Sequence, residues 1–355
     1  MSFKSIAFCK LPHSSEIFIY SGSVVKSNIL EFELTEVPKF IVTKGLTPEE
    51  FFWISGDVDS APLNSDVTEL LKEHLNWLED YQNSEYNSQS KITSQHQFSV
   101  EIERIKTAIS NLEVEKIVAA RIIQKDLHNQ HFGVDSLVSW YVELCANYPD
   151  CLVYLFVDDE LGIWIGASPE LLFEREKSGF SQTVSLAGTL FGDSEVWSDK
   201  EKLEQSTTSR HINEILNDFN VVAEVSNVKE RKNGSLRHLI SQYSFQTKSN
   251  QILGLLERLN PTPAVIGYPQ KAALKWVKAN LELNRELYSG AVGIVSSHNT
   301  LIHVNLRCAK VYLNQKIDLY AGCGINSMSD PAREWEETQL KSEIIGSFIP
   351  NLKYP

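Results

Sequence analysis

The stretch LVYLFVDDELGIWIGASPE, residues 152–170, decides the fold. Two apolar runs, LVYLFV (152–157) and LGIWIG (161–166), flank the acidic turn Asp158-Asp159-Glu160. Short runs rich in β-branched and aromatic residues, joined by a few polar ones, predict a hairpin. Ser168-Pro169-Glu170 then predicts a second tight turn into LLFERE at 171–176, because proline presets the φ that a turn needs. Connections this short favour antiparallel pairing, since parallel strands need a long crossover.

Working outward, an amphipathic helix covers about 134–147, and the β-like run KIVAAR (116–121) follows a helix signalled from Phe98 by Ile102, Ile105, Ala108, Ile109 and Leu112. Downstream, helices are predicted near 199–217, 270–280 and 331–347, with strands between 290 and 325. Residues 1–80 alternate runs such as IFIY (17–20) and FIVT (40–43) with polar turns, then give a helical pattern through Val67, Leu71, Leu75 and Leu78. Residues 82–97 are polar and read as a linker, so the expected organisation is an N-terminal part, 1–97, ending in that linker, and a main region, 98–355. The predicted class is α+β, with large, mostly antiparallel sheets and helices packed outside, and without the strict β-α alternation of a doubly wound fold.

Composition narrows the function. Lys and Arg number 33 against 46 Asp and Glu, a net charge of -13, and no basic stripe appears, so nucleic acid is excluded as an expected partner. Any site for a small anion must be built from a few local cations. No apolar run approaches the ~18 residues of a membrane span, and the start MSFKSIAFCKLPHSS has no apolar core long enough for a signal peptide. The five cysteines, Cys9, Cys145, Cys151, Cys308 and Cys323, form no CxxC pair and predict reduced thiols in a cytoplasmic protein.

Two glutamate pairs carry chemistry. Glu201 and Glu204 are three apart, as are Glu334 and Glu337, and that spacing puts both carboxylates of a pair on one helical face. The last helix opens with Asp330-Pro331, an N-cap followed by proline at the first helical position. On an ideal helix Glu334, Glu337 and Lys341 fall within an arc of about 60° that also holds Phe348 and is flanked within about 20° on either side by Ile344 and Ile345, so those charges face the core. Buried carboxylates need a partner or a metal. Carboxylates without a nearby Cys or His cluster suit a hard cation such as Mg²⁺.

These stretches together resemble the chorismate-utilising enzymes, a family that includes isochorismate synthases, salicylate synthases, anthranilate synthase large subunits and aminodeoxychorismate synthases. The matching segments are KIVAAR (116–121), IGASPELL (165–172), SLAGT (185–189), DKEKLEQ (199–205), RHLIS (237–241), NPTPAVIGYP (260–269), RELYSGAVG (285–293), NLRCA (305–309), AGCGI (321–325) and EWEETQLK (334–341). The resemblance implies the fold of anthranilate synthase component I, with Lys116 as general base and Glu170 as general acid. It implies Glu204 and Glu337 as Mg²⁺ ligands, supported by Glu201 and Glu334. Substrate carboxylates would be held by Arg307, Lys341 and the backbone of a Gly-rich turn at Gly322, with His238, Thr262 and Tyr288 lining the pocket. The chain departs from the family pattern at Gln205 and Asn260, each in place of a histidine, at Leu281 in place of a glutamate, and in lacking the arginine usual after A-G-T.

Within that family the reaction is set by single positions. Aminodeoxychorismate synthases carry a nucleophilic lysine where this chain has Ala187, and anthranilate synthases carry glutamine where it has Lys116. Lys116 therefore implies water as the nucleophile, and the expected activity is isochorismate synthase, an isomerase acting on chorismate for menaquinone or siderophore synthesis. Such an enzyme needs no glutamine amidotransferase subunit, and a monomer is expected. Salicylate synthase, which adds pyruvate elimination, is the alternative enzyme. A non-catalytic chorismate-binding paralogue is the alternative from another class, although it would be expected to lose one of Lys116, Glu170, Glu204 or Glu337.

Overall fold

The computed structural model describes residues 5–64, 66–80, 93–111, 114–127, 131–192, 196–233 and 236–350. The hairpin predicted at 152–166 is present as Leu152–Asp158 and Gly162–Ser168, paired antiparallel from Leu152 opposite Ser168 to Asp158 opposite Gly162. Its turn is held by Asp158, whose Oδ1 accepts the backbone N–H of Glu160 (3.0 Å) and of Leu161 (2.9 Å). Gly162 closes it at φ +84°, a conformation glycine adopts without cost.

Seventeen strands among the described residues join in antiparallel pairings into one continuous ladder. From one end it runs through Gly267–Tyr268, Lys116–Asp126, Lys316–Ile325, Cys308–Tyr312, Gly162–Ser168, Leu152–Asp158, Ser5–Lys10 and Glu16–Asn28. The strand Glu16–Asn28 then pairs along its whole length with Glu50–Pro62. That begins a second half, through Lys39–Thr43, Ala291–Val295, Thr300–Val304, Leu171–Arg175 and Phe180–Phe191 to Leu236–Gln246, on which Ala223–Val225 and Lys229–Asn233 also pair. The strands before residue 97 thus pair directly with strands beyond 98, Phe8 opposite Leu155 and Val42 opposite Val292.

The central strands of each half are buried on both faces, which explains the near-continuous apolar runs. Tyr154, Phe156 and Trp164 point into an inner core with Phe40, Val42, Phe52 and Val292 of the other half. Their neighbours Val153, Leu155, Ile163 and Ile165 point outward against the helices Val67–Leu75 and Val134–Asn147. The helices Asp199–Asp218 and Ile252–Leu259 cover the second half, while Gln95–Asn111 and Gln270–Asn280 cover the strand Lys116–Asp126. Burial at this scale, at roughly 25 cal/mol per Å² of apolar surface, is what holds the two halves against each other.

Most of the polar stretch 82–97 lies outside the described residues, and its last three residues open the helix Gln95–Asn111. Among the described residues no helix is long and apolar enough to cross a membrane. All five cysteines are buried and free.

Candidate active site

Two of the chain's crossings between the halves of the ladder each carry a charged side chain. Between Gly162–Ser168 and Leu171–Arg175 stands Glu170, and between Thr300–Val304 and Cys308–Tyr312 stands Arg307. The two crossings are stitched together, the N–H of Val304 donating to the Glu170 carbonyl (3.0 Å) and the N–H of Ala167 to that of Arg307 (3.1 Å). Arg307 sits at φ +47°, a left-handed conformation that costs a non-glycine residue about 1–3 kcal/mol and is found at functional sites.

Around these crossings lies a cavity of about 730 Å³, part of it an open mouth. Lys116, Glu170, Glu204, His238, Tyr288, Arg307, Gly322 and Lys341 line it, and Thr262 reaches it through Glu170. Every catalytic and substrate-binding residue named from the sequence is therefore brought to one place. Ala187 forms part of the same wall, so the position that carries a lysine nucleophile in aminodeoxychorismate synthases offers only a methyl group here.

Glu170 is 2% exposed. Burial pushes its carboxyl up to about 7, against the opposing pull of the Thr262 hydroxyl, which donates to Oε1 at 3.2 Å, and of Lys116, Lys341 and Arg307. It is a carboxyl half protonated near neutrality, the state a general acid requires. Lys116 opens the strand Lys116–Asp126, is 3% exposed, and places Nζ 3.5 Å from Glu204 Oε2.

His238 donates from Nδ1 to the Gly188 carbonyl (3.0 Å), which leaves Nε2 to accept from Arg307 Nη2 (3.3 Å). Burial and the nearby Arg307 and Lys341 charges hold its imidazole down at about 3, so it is neutral. Arg307 Nη1 is buried with no partner. Lys341 donates to Glu337 Oε1 (2.6 Å) and to the Gly322 carbonyl (3.1 Å). Although burial opposes it, the Glu337 carboxylate keeps this ammonium above its ordinary value.

Gly322 and Gly324 lie inside the strand Lys316–Ile325, which corrects the expectation of a Gly-rich turn. Close approach, and not a special φ, demands glycine at both. A Cβ on Gly322 would sit 2.6 Å from the Tyr288 hydroxyl and 2.8 Å from the Ala119 carbonyl oxygen. On Gly324 it would sit 2.5 Å from Lys116 Cε and 3.0 Å from Glu204 Oε2, so the Lys116–Glu204 pair exists in space that only glycine leaves open.

Three of the four glutamates, Glu204, Glu334 and Glu337, converge on the Lys200 ammonium, while Glu201 caps its own helix. Glu204 and Glu201 come from the helix Asp199–Asp218, and Glu334 and Glu337 from the helix Pro331–Gly346, started as expected by Asp330, which accepts the N–H groups of Ala332 and Arg333. Glu334 is 1% exposed, and its Oε2 has no partner. Burial, then the neighbouring Glu337, pushes Glu334 above the usual carboxylate range. Glu337, despite burial, is held low by Lys341 and Lys200. Glu201 Oε2 accepts from the Ser198 N–H (2.9 Å) and hydroxyl (2.5 Å), closing a capping box.

Sequence reasoning did not single out Lys200, whose ammonium stands among these carboxylates, although its i,i+4 spacing to Glu204 was a usable signal. It also missed Arg121. The Arg121 guanidinium lies 3.5 Å over the Trp335 ring and donates to Thr338 Oγ1 (2.8 Å) and Gln339 Oε1 (3.0 Å), tying the helix that carries Glu334 and Glu337 to the strand that carries Lys116. Where histidine was expected, Gln205 donates to the hydroxyls of Ser241 and Ser209 (both 3.1 Å), and Asn260 donates to Thr43 (3.1 Å).

Residues 36–349 match the family described as chorismate binding enzyme. The chain belongs to that family. Isochorismate synthase EntC of Escherichia coli (strain K12) is 30% identical to this chorismate-binding family member over 264 residues, 70% of this chain and 66% of that protein. Isochorismate synthase 2, chloroplastic, of Arabidopsis thaliana is 31% identical over 231 residues, 61% of this chain and 40% of that protein. The chain spans between 40% and 66% of the length of the first curated relatives it matches. Among solved structures, MenF, the menaquinone-specific isochorismate synthase from Escherichia coli, aligns with TM-score 0.76 at 20% identity over 97% of this chain and 88% of that one. Anthranilate synthase component I from Streptococcus pneumoniae aligns with TM-score 0.66 at 17% identity over 97% and 92%. The fold is thus the α+β, antiparallel, anthranilate synthase component I-like fold expected of this chorismate-binding chain.

Proposed function

We propose that the chain is an isochorismate synthase, adding water at C2 of chorismate and expelling the C4 hydroxyl. The observation that carries this reading is the pairing, in one cavity, of Lys116 with a Glu170 carboxyl that burial keeps protonated up to about 7. The Lys116 amine takes a proton from water as the oxygen bonds to C2. The ring double bonds shift, and Glu170 gives its proton to the C4 hydroxyl, which leaves as water. Arg307, with Nη1 unpartnered, and Lys341 would hold the substrate carboxylates, with the Arg307 guanidinium oriented by its hydrogen bond to His238.

A magnesium ion fits the remaining chemistry. The donors are all carboxylate, and the buried, unpartnered Oε2 of Glu334 is an acceptor left unmet. Glu204 and Glu337 would hold the ion, with Glu334 and Glu201 beside them, and when bound it supplies a Lewis acid that neutralises a substrate carboxylate.

Water as nucleophile requires no glutamine amidotransferase, and the proposed assembly is a monomer. Free, buried cysteines support a cytoplasmic setting. Product analysis tests the reading: chorismate incubated with the purified chain and Mg²⁺ should yield isochorismate by chromatography and mass, whereas salicylate with pyruvate, or unconsumed chorismate, would replace it.

A further inference from the structure

Lys200 lies on the first turn of the helix Asp199–Asp218 and reaches carboxylates from two helices. Its Nζ is 2.9 Å from Glu334 Oε1, 3.5 Å from Glu204 Oε1 and 4.0 Å from Glu337 Oε2. The other oxygens of the last two are engaged elsewhere, Glu204 Oε2 with Lys116 and Glu337 Oε1 with Lys341. Among the described residues Lys200 is therefore the cation shared by all three carboxylates. No group of three or more acidic, His or Cys side chains among the described residues is already gathered as a metal site, and an ammonium stands at their centre instead.

The fit of that ammonium is incomplete. Only one of its three contacts has hydrogen-bond length, and the second oxygen of the same Glu334 carboxylate is buried with no partner. One positive charge among three carboxylates leaves excess negative charge in a partly buried place, which a divalent ion with its waters would relieve. Lys200, Glu334 and Glu337 also line a second cavity of about 660 Å³, part of it open to solvent, with Glu201, Asp330, Arg333 and Glu336. A lysine head on its flexible four-carbon stem has room to move there.

We propose that Lys200 is an internal counter-cation that occupies the divalent-ion position while the site is metal-free, and that metal binding displaces it into this second cavity. The proposal rests on reading Glu204 and Glu337 as metal ligands. Its consequence is that the two helices stay drawn together without metal, at the cost of a competitor that lowers the affinity for Mg²⁺.

Two measurements test it. In calorimetric titrations of metal-free protein, Lys200→Met should bind Mg²⁺ at least about tenfold more tightly than the parent, because a positive charge within a few ångströms of the ion is gone. In EDTA the same variant should melt below the parent, and Mg²⁺ should raise its Tm by the larger increment. The parent alone supplies the second measurement, independent of how the variant folds. Reductive methylation followed by peptide mass mapping should label Lys200 faster in Mg²⁺ than in EDTA, with the exposed Lys202 unchanged as the internal control. Mg²⁺ binding of equal or lower affinity in the variant, or Lys200 labelling no faster with metal, would overturn the role of Lys200 while leaving the metal site standing. Absence of Mg²⁺ binding in both proteins would overturn the metal reading and this proposal together.

Discussion

His238 Nε2 accepts a hydrogen bond from Arg307 Nη2 at 3.3 Å, and the same imidazole is anchored through Nδ1 to the Gly188 carbonyl. A backbone oxygen on the strand Phe180–Phe191 thereby orients the guanidinium on the opposite crossing. Arg307→Ala should weaken chorismate binding by about 2 to 4 kcal/mol, since it leaves a desolvated carboxylate unpaired. An unchanged Kd by calorimetry would make Arg307 structural. Because His238 is held neutral at about 3, it should add no step to the pH profile between about 5 and 9.

The alkaline limb of the pH profile is expected to report Glu170. It must carry a proton to give one, and its carboxyl is raised to about 7, so it is competent below that pH. The kcat should fall as pH rises through that value. Thr262 lowers this value by hydrogen bonding, so Thr262→Val should move the falling limb to higher pH, and Glu170→Gln should abolish turnover while keeping chorismate affinity within about threefold. A limb that stays in place in Thr262→Val would assign it to another group.

Lys116→Gln should retain the fold and much of the chorismate affinity, which Arg307 and Lys341 supply, while kcat drops by roughly 10² to 10⁴. Near-parental hydration of chorismate by this variant would remove Lys116 as base. Equal loss of binding and turnover would make it a substrate anchor.

Metal removal gives a fourth test. EDTA should abolish turnover and Mg²⁺ restore it, with Glu204→Ala and Glu337→Ala each as damaging as chelation. Full activity in EDTA would sink the assignment.

Arg121→Ala should lower stability by about 2 to 3 kcal/mol, from the lost stacking on Trp335 and the hydrogen bonds to Thr338 and Gln339. It should also raise the Mg²⁺ concentration needed for half-maximal rate, since Glu334 and Glu337 flank Trp335 on the helix it holds. Thermal melts and a Mg²⁺ titration of rate check both, and Arg121→Lys, which keeps charge without the planar stack, should recover only part.

Local pattern made much of this legible. The helix predicted at 134–147 is observed with those bounds, and the hairpin at 152–166 is extended only slightly, to Asp158 and Ser168. The inward arc of Glu334, Glu337 and Lys341 follows from helical geometry and is observed as the 2.6 Å pair beside a buried Glu334. What stayed hidden depends on partners far away in the chain. Periodicity cannot tell that Cys9 lies opposite Tyr154, or that Lys200 will meet Glu334. Gly322 was misplaced because glycine signals both a turn and a close approach, and only the neighbouring Tyr288 hydroxyl distinguishes them. Residues 1–97 carried no motif because their strands contribute pairing, not chemistry.

That pairing has a temporal consequence. Lys116 and Gly324 sit near one end of the ladder and Gly188 and His238 near the other, and among the described residues the strand-to-strand path between them passes through Glu16–Asn28 and Glu50–Pro62. These contacts are separated by long loops whose closure is entropically slow. The constellation around the cavity therefore comes into being only when the two halves of the ladder have packed face to face, and a half-built molecule holds neither Glu170 buried nor Lys116 beside Glu204. The order in which the strands find one another thus sets when the cavity forms.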